Sequence, residues 1–234
     1  MPQNPDPILQ LSAVQYSWIG SGGFGITVPD FSLAPAESVL LLGESGSGKS
    51  TLLSLICGIV TPRLGSVHIA GTQLDALSAG QRDRFRAEHI GLIFQQFNLL
   101  PYAGVLDNIA LPLAFAPQRK RRAAPVQDTA LKLCTELGLP AGVTQAKAGN
   151  LSVGQQQRVA VARALIGMPP LIVADEPTSA LDASSQEAFL NLLFTQTKAM
   201  GSALLMVSHD ARLGDRFDRV IQMSDIAQTT REAA

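Results

Sequence analysis

The chain has 234 residues, of which 46% are hydrophobic and 16% charged, with a formal net charge of -1. That length suits one compact domain, with room for subdomains and ample material for a buried core. The near-neutral balance gives no electrostatic argument for nucleic acid, and none is expected as a partner.

The first ten residues, MPQNPDPILQ, lack a basic start followed by an apolar run, so no secretory leader is expected. From Ile8 to Leu33 short apolar and polar pieces alternate around Gly20, Ser21, Gly22 and Gly23, which predicts two strands and a glycine-rich turn. Ser38 to Leu42 reads as a short buried strand running into GESGSGKS. A helix is predicted from Ser50 to Val60, stopped by Thr61-Pro62, and a strand from Gly65 to Ala70. Glu88 to Phe94 is a further strand candidate, and from about Asn98 to Leu165 the pattern is mostly helical. Within that stretch Leu131, Cys134 and Leu137 share a helical face, with Gly138 as the stop. Leu171 to Ala174 reads as a buried strand, Ser184 to Met200 as an amphipathic helix and Ala203 to Val207 as the next buried strand. The alternation predicts an α/β fold: a parallel-sheet core with a helical insertion.

No apolar stretch approaches the roughly 20 residues needed to span a bilayer. The mean hydropathy is nonetheless positive, at +0.19, a hint of apolar surface that a partner covers. Cys57 and Cys134 lie in apolar surroundings without metal-ligand spacing and read as reduced core residues. The run Arg119-Lys120-Arg121-Arg122 reads as a solvated helix end, and His68 and His89 as structural residues of strand-like segments.

Two stretches carry chemistry. Gly43-Glu44-Ser45-Gly46-Ser47-Gly48-Lys49-Ser50 matches G-x-x-x-x-G-K-[ST] between a buried strand and a helix that continues through Thr51. Its glycines let successive N–H groups face phosphate oxygens, and the helix adds its positive end. Lys49 is expected to reach the β- and γ-phosphates and the Ser50 hydroxyl to ligate Mg²⁺. Downstream, Leu171–Ala174 delivers Asp175 and Glu176 to a strand end, where α/β sheets bind ligands. Asp175 suits a metal-linked role and Glu176 the activation of water.

Leu151-Ser152-Val153-Gly154-Gln155-Gln156-Gln157-Arg158 resembles the LSGGQ signature of ABC ATPases. Gln95, in Phe94-Gln95-Gln96, resembles their Q-loop glutamine; Ser179-Ala180-Leu181-Asp182 resembles the D-loop; His209 resembles the switch histidine. The resemblance covers roughly Ile8 to Val220. It implies the P-loop NTPase fold of that family, with a RecA-like parallel core, an antiparallel β subdomain and a helical subdomain at about 98–165 inside one nucleotide-binding domain at 8–228. It implies ATP and Mg²⁺, with residues 43–51, Ser152, Gly154, Gln155 and Asp182 on the nucleotide. Ser50, Gln95 and Asp175 are implied at the metal, and Glu176, His209 and Gln95 in catalysis. In this family an aromatic stacks on adenine; spacing from Val14 favours Trp18, with Tyr16 turned to the same face and core packing the alternative for either.

The resemblance also implies a head-to-tail homodimer around two ATP, each phosphate loop facing the other subunit's signature. Two departures stand out: Val153 replaces the usual third-position glycine, and Met223-Ser224-Asp225-Ile226 lacks the Asp-Gly turn that often follows the last strand. The segment Phe97-Asn98-Leu99-Leu100-Pro101-Tyr102 corresponds to the groove that receives a separate integral-membrane permease. Arg82–Arg86, His89–Pro101 and Val105–Pro112 are similar to the lipoprotein-release and macrolide-export branch. The implied location is the cytoplasmic face of a bacterial inner membrane, as a peripheral subunit. A polar amino-acid importer ATPase and a cell-division-type ABC regulator remain alternatives, and a translation or DNA-repair protein is disfavoured by the single cassette without heptads.

Overall fold

The computed structural model describes residues 6–18, 23–179 and 181–230. The start of the chain, Gly20–Gly22 of the expected turn and Ala180 of the D-loop lie outside the described residues. The chain divides into two compact units, Met1–Arg86 with Ala203–Ala234, and Ala87–Ser202.

In the first unit, β1 (Leu9–Ser17) and β2 (Gly25–Leu33) pair antiparallel from Leu9↔Leu33 to Ser17↔Gly25. β4 (Leu64–Ile69) flanks β1, β5 (Thr72–Gln73) flanks β4, and β10 (Gln228–Thr230) closes the far edge on β2. β1 buries Leu9 and Leu11, then Val14, a change of phase that strict alternation forbids. A register shift between Ser12 and Gln15 against β4 absorbs the extra residue, and Ala13 takes a φ of 50° there. Opposite it, Gly65 has a φ of 80°, and a Cβ at that position would collide with the Ala13 carbonyl.

The same unit holds a parallel group in which β3 (Ser38–Leu42) lies between β8 (Ala203–Ser208) and β9 (Arg219–Gln222). Every residue of β8 is buried, as are Val39 to Leu42, the continuous apolar run expected of a parallel strand covered on both faces. The helix after β3, α1 (Lys49–Ile56), ends earlier than Thr61-Pro62 predicts. Gly58 takes a φ of 62°, and Ile59 donates back to the Ser54 carbonyl at 2.9 Å, so glycine ends the helix before proline can. After β9, a single helical turn, α8 (Met223–Ile226), leads into β10, which agrees with the missing Asp-Gly signal: the connection is helical and not a tight hairpin.

Between β5 and the second unit, α2 (Ala79–His89) occupies residues read as the start of a strand; only β6 (Ile90–Ile93) is extended. His89 therefore ends a helix and does not sit in a strand. The Arg82 guanidinium donates to Leu77 and Gly58 carbonyls and Arg86 to Cys57, anchoring a polar helix whose apolar periodicity is too weak to read. In the second unit β6 pairs parallel with β7 (Leu171–Asp175), from Ile90↔Leu171 to Ile93↔Ala174. Gly91 is needed there, because a Cβ would collide with the Ala164 carbonyl.

Helices α3 (Val105–Ala110), α4 (Pro117–Arg122), α5 (Val126–Glu136) and α6 (Val153–Leu165) lie between those strands, and α7 (Ala183–Met200) follows them. Ala130, Leu133 and Cys134 form the buried face of α5 with Leu137 just past its end, Leu131 is only half-buried, and Gly138 at φ 66° terminates the helix as predicted. Burial pushes the Cys134 thiol above its usual range, and both cysteines are buried.

The basic run is a solvated helix end at Lys120, Arg121 and Arg122, but not at Arg119. Arg119 is 1% exposed. Its guanidinium donates to the carbonyls of Ile166 and Ala164 at 2.6 Å, Ala87 at 3.0 Å, and Ile90 and Arg163 at 3.3 Å. The buried Glu88 carboxylate accepts from the N–H groups of Gln118 at 2.9 Å and Arg119 at 2.7 Å, capping α4 with opposite charge. Desolvation, reinforced by Arg122 and opposed by Glu88, lowers the Arg119 pKa to about 10. It still carries its charge at neutral pH.

Candidate functional site

The loop between β3 and α1 is shaped by its glycines. A Cβ on Gly43 would lie 2.7 Å from Ser47 Oγ and 3.0 Å from Met223 Cβ. Gly46 has a φ of 80°, and Gly48, the residue capping α1, a φ of 97°, conformations that side chains oppose. Lys49 folds back over this loop: its Nζ donates to the carbonyls of Gly43 at 2.6 Å and Glu44 at 2.8 Å, and the residue is 8% exposed. Ser47 Oγ is buried and has no hydrogen-bond partner among the described residues. A buried hydroxyl left unpaired beside a helix N-terminus and an ammonium fits a loop that an anion completes.

Trp18 belongs to the same neighbourhood. Its Nε1 donates to Thr51 Oγ1 at 3.1 Å, which fixes the indole against the first turn of α1 while it stays 38% exposed. Tyr16 packs edge-on against it with ring centroids 5.2 Å apart, so both aromatics do share a face and the tyrosine buttresses the indole. His209 follows β8 at the strand end where Ser208 pairs with Leu42, and the Gly43 N–H donates to the Ser208 carbonyl at 3.3 Å. The Ser208 hydroxyl accepts from the Asp210 N–H at 3.0 Å, and Asp210 in turn holds Arg212, whose pKa it raises.

In the second unit, Asp175 ends β7, and Gln95 and Glu176 each lie two residues beyond the last paired position, Ile93↔Ala174. Glu176 has a φ of 42°, a left-handed conformation rare in a non-glycine residue and costly unless its surroundings enforce it. They do: Ser179 donates to the Glu176 carbonyl through its N–H at 3.2 Å and its hydroxyl at 3.0 Å. Gln157 Nε2 donates to the Pro177 carbonyl at 3.0 Å and Gln186 Nε2 to Thr178 Oγ1 at 3.1 Å. Gln95 Nε2 donates to Ser179 Oγ at 3.3 Å.

The signature folds as a helix start. Ser152 caps α6; its Oγ accepts from the Gln155 N–H at 3.3 Å, and its own N–H donates to Gln155 Oε1 at 3.0 Å. The Gln155 side chain is thus engaged in this cap. Val153 sits in the first turn, 55% exposed, so the departure from glycine adds apolar surface without disturbing the core. Asp182 caps α7 in the same way and accepts from the Ser185 N–H at 2.9 Å and the hydroxyls of Ser184 and Ser185. Those bonds, the Ser185 N–H foremost, lower its pKa to about 2. Gly154, Arg158, Asp182 and Ser185 line a shared cavity of about 470 Å³ beside the two helix starts.

Residues 26–179 match the family model described as ABC transporter. This chain belongs to the ABC transporter family. It is 40% identical over 223 residues to an ABC transporter ATP-binding protein of Mycobacterium tuberculosis, covering 94% of this chain and 88% of the relative. It is 39% identical over 212 residues to the macrolide export ATP-binding/permease protein MacB of Rhodopirellula baltica, covering 90% of this chain but only 30% of that longer protein. The dimeric ATP-binding cassette MJ0796 in a post-hydrolysis state with ADP and Pi has a TM-score of 0.76 and 32% identity, covering 97% of this chain and 99% of that one. The fold is that of the ABC ATPases, and the chain holds an ATP-hydrolysing domain of the kind found in ABC transporters.

Three residues of this ABC ATPase escaped the reading from sequence. Ser179 was noted only as part of a motif, and its bridge between Gln95 and Glu176 has no local signature. Arg163 is 7% exposed and donates to the Asn98 carbonyl at 2.6 Å and the Phe97 carbonyl at 2.5 Å, holding two consecutive residues with φ of 48° and 58°. Its position four residues after the buried Val159 on α6 was the available signal. Arg119 was hidden in a basic run. Phe97 itself is buried, Leu99 and Leu100 are partly covered, and Asn98, Pro101 and Tyr102 are exposed, Tyr102 at 73%.

Proposed function

We propose that residues 8–228 act as one nucleotide-binding domain, with 98–165 as its helical subdomain, and drive a separate membrane permease of the lipoprotein-release and macrolide-export type. The observation that carries the branch is the 39% identity to MacB across 90% of this chain. No helix among the described residues is long and apolar enough to cross a membrane, which agrees with a permease on another polypeptide or segment. The permease would dock on the segment that ends at Tyr102, and the ATPase would work at the cytoplasmic face of a bacterial inner membrane.

In this reading two copies close head to tail on two ATP. Residues Gly43 to Thr51 hold the phosphates through backbone N–H groups and Lys49, and Trp18 supports the adenine. Ser152 and Gly154, with Gln155 fixing the cap, present the start of α6 to a γ-phosphate bound by the other copy, and Asp182 fixes the start of α7 beside them. Ser50, Gln95 and Asp175 are the residues that would hold Mg²⁺; all offer oxygen atoms, the donors a small hard cation takes. Bound there, the metal would neutralise charge on the phosphates. Glu176 orients and polarises the attacking water, and His209 holds the γ-phosphate end.

The test is to purify tagged Glu176→Gln protein with ATP from detergent-solubilised membranes of its source and identify what accompanies it. A permease with few spans and a large extracytoplasmic domain is expected. A compact permease with a substrate-binding protein would replace the branch with an importer, and recovery of no membrane protein would remove the permease from the account.

A further inference from the structure

The Ser179 hydroxyl has one proton and two lone pairs. It gives the proton to the Glu176 carbonyl at 3.0 Å and stands 3.3 Å from the Gln95 amide nitrogen. With that proton committed, the serine oxygen can only accept from Gln95. An amide Oε1 has no hydrogen to give, so the geometry requires Nε2 to face the serine. Oε1 is thereby kept clear of it, and Oε1 is the one atom of this side chain that can bind a hard cation. The same hydroxyl fastens the backbone turn in which Glu176 adopts its φ of 42°.

We propose that Ser179 is a positioning residue: its hydroxyl fixes the orientation of the Gln95 amide so that Oε1 is presented to the divalent cation, and ties that amide to the turn carrying Glu176. This rests on the reading of Gln95 as a metal ligand. The hydroxyl reads two groups at once, so a displacement of Gln95 is transmitted to the Glu176 backbone through a single oxygen. Ser179 is exposed, and removing its hydroxyl opens no cavity in the core.

The experiment is carried out in the Glu176→Gln protein, which is expected to hold ATP without turning it over. ATP affinity is measured by calorimetry with Mg²⁺ and again with EDTA, and the ratio gives the gain due to the metal. Ser179→Ala should reduce that gain about 3- to 10-fold, the worth of one hydrogen bond, and leave the affinity in EDTA unchanged. Ser179→Thr, which keeps a hydroxyl, should restore the gain. In a Gln95→Ala background, Ser179→Ala should cost nothing further, because it acts through Gln95. Full retention of the gain in Ser179→Ala, an additive loss with Gln95→Ala, or an equal loss in EDTA would each overturn the positioning role. A full metal gain in Gln95→Ala alone would instead remove Gln95 from the metal, and the proposal with it.

Discussion

At the scale of single residues, Trp18 is the most informative side chain of the proposed ATP site. Its indole is anchored by Thr51 and braced by Tyr16, yet more than a third of its surface stays open. Base stacking on an aromatic is worth about 1–3 kcal/mol by alanine substitution. Trp18→Ala should therefore weaken ATP binding by roughly 5- to 150-fold, while Tyr16→Phe should leave it nearly unchanged. It is the only tryptophan in the chain, so its fluorescence in the wild-type protein should change on adding ATP. A silent fluorescence signal together with unaltered affinity in Trp18→Ala would move the adenine elsewhere. Much of the candidate chemistry was legible from sequence because it is local: Gly43 to Ser50 in the first unit and Asp175-Glu176 in the second are contiguous stretches. The Ser179 bridge joins positions 84 residues apart through side chains, and no spacing rule marks it.

At the scale of elements, buried strands were read well because β3, β7 and β8 are short continuous apolar runs with acidic or glycine-rich ends. The errors came where a polar group replaces an apolar signal. α2 has only Glu88 fully buried, so its periodicity was invisible, and α4 hides its one buried arginine among exposed basic neighbours. Arg119 makes five carbonyl bonds linking α2, β6, α4 and the end of α6. Arg119→Met should leave those carbonyls and Glu88 uncompensated and destabilise the fold by about 3–5 kcal/mol. Arg119→Lys should rescue little, since an ammonium cannot reproduce the planar fork. Lys120→Met and Arg121→Met, at exposed positions of the same run, should stay within about 0.5 kcal/mol of wild type by urea denaturation. Equal stability of all these variants would contradict the buried hub.

At the scale of the whole molecule, family and fold were legible because six motifs occur in the family's order, and the match across residues 26–179 spans the first four of them. The identity of the permease was not, since a handful of surface residues at Leu99, Leu100 and Tyr102 would meet it and their chemistry is generic. In the proposed function, ATP holds two copies together and Glu176 governs its hydrolysis. The most direct test is the mass of purified Glu176→Gln protein in solution by light scattering, with and without ATP, beside a Lys49→Ala/Glu176→Gln control. ATP should double the mass of Glu176→Gln and leave the double variant monomeric. Glu176→Gln protein that binds ATP and stays monomeric would contradict that reading.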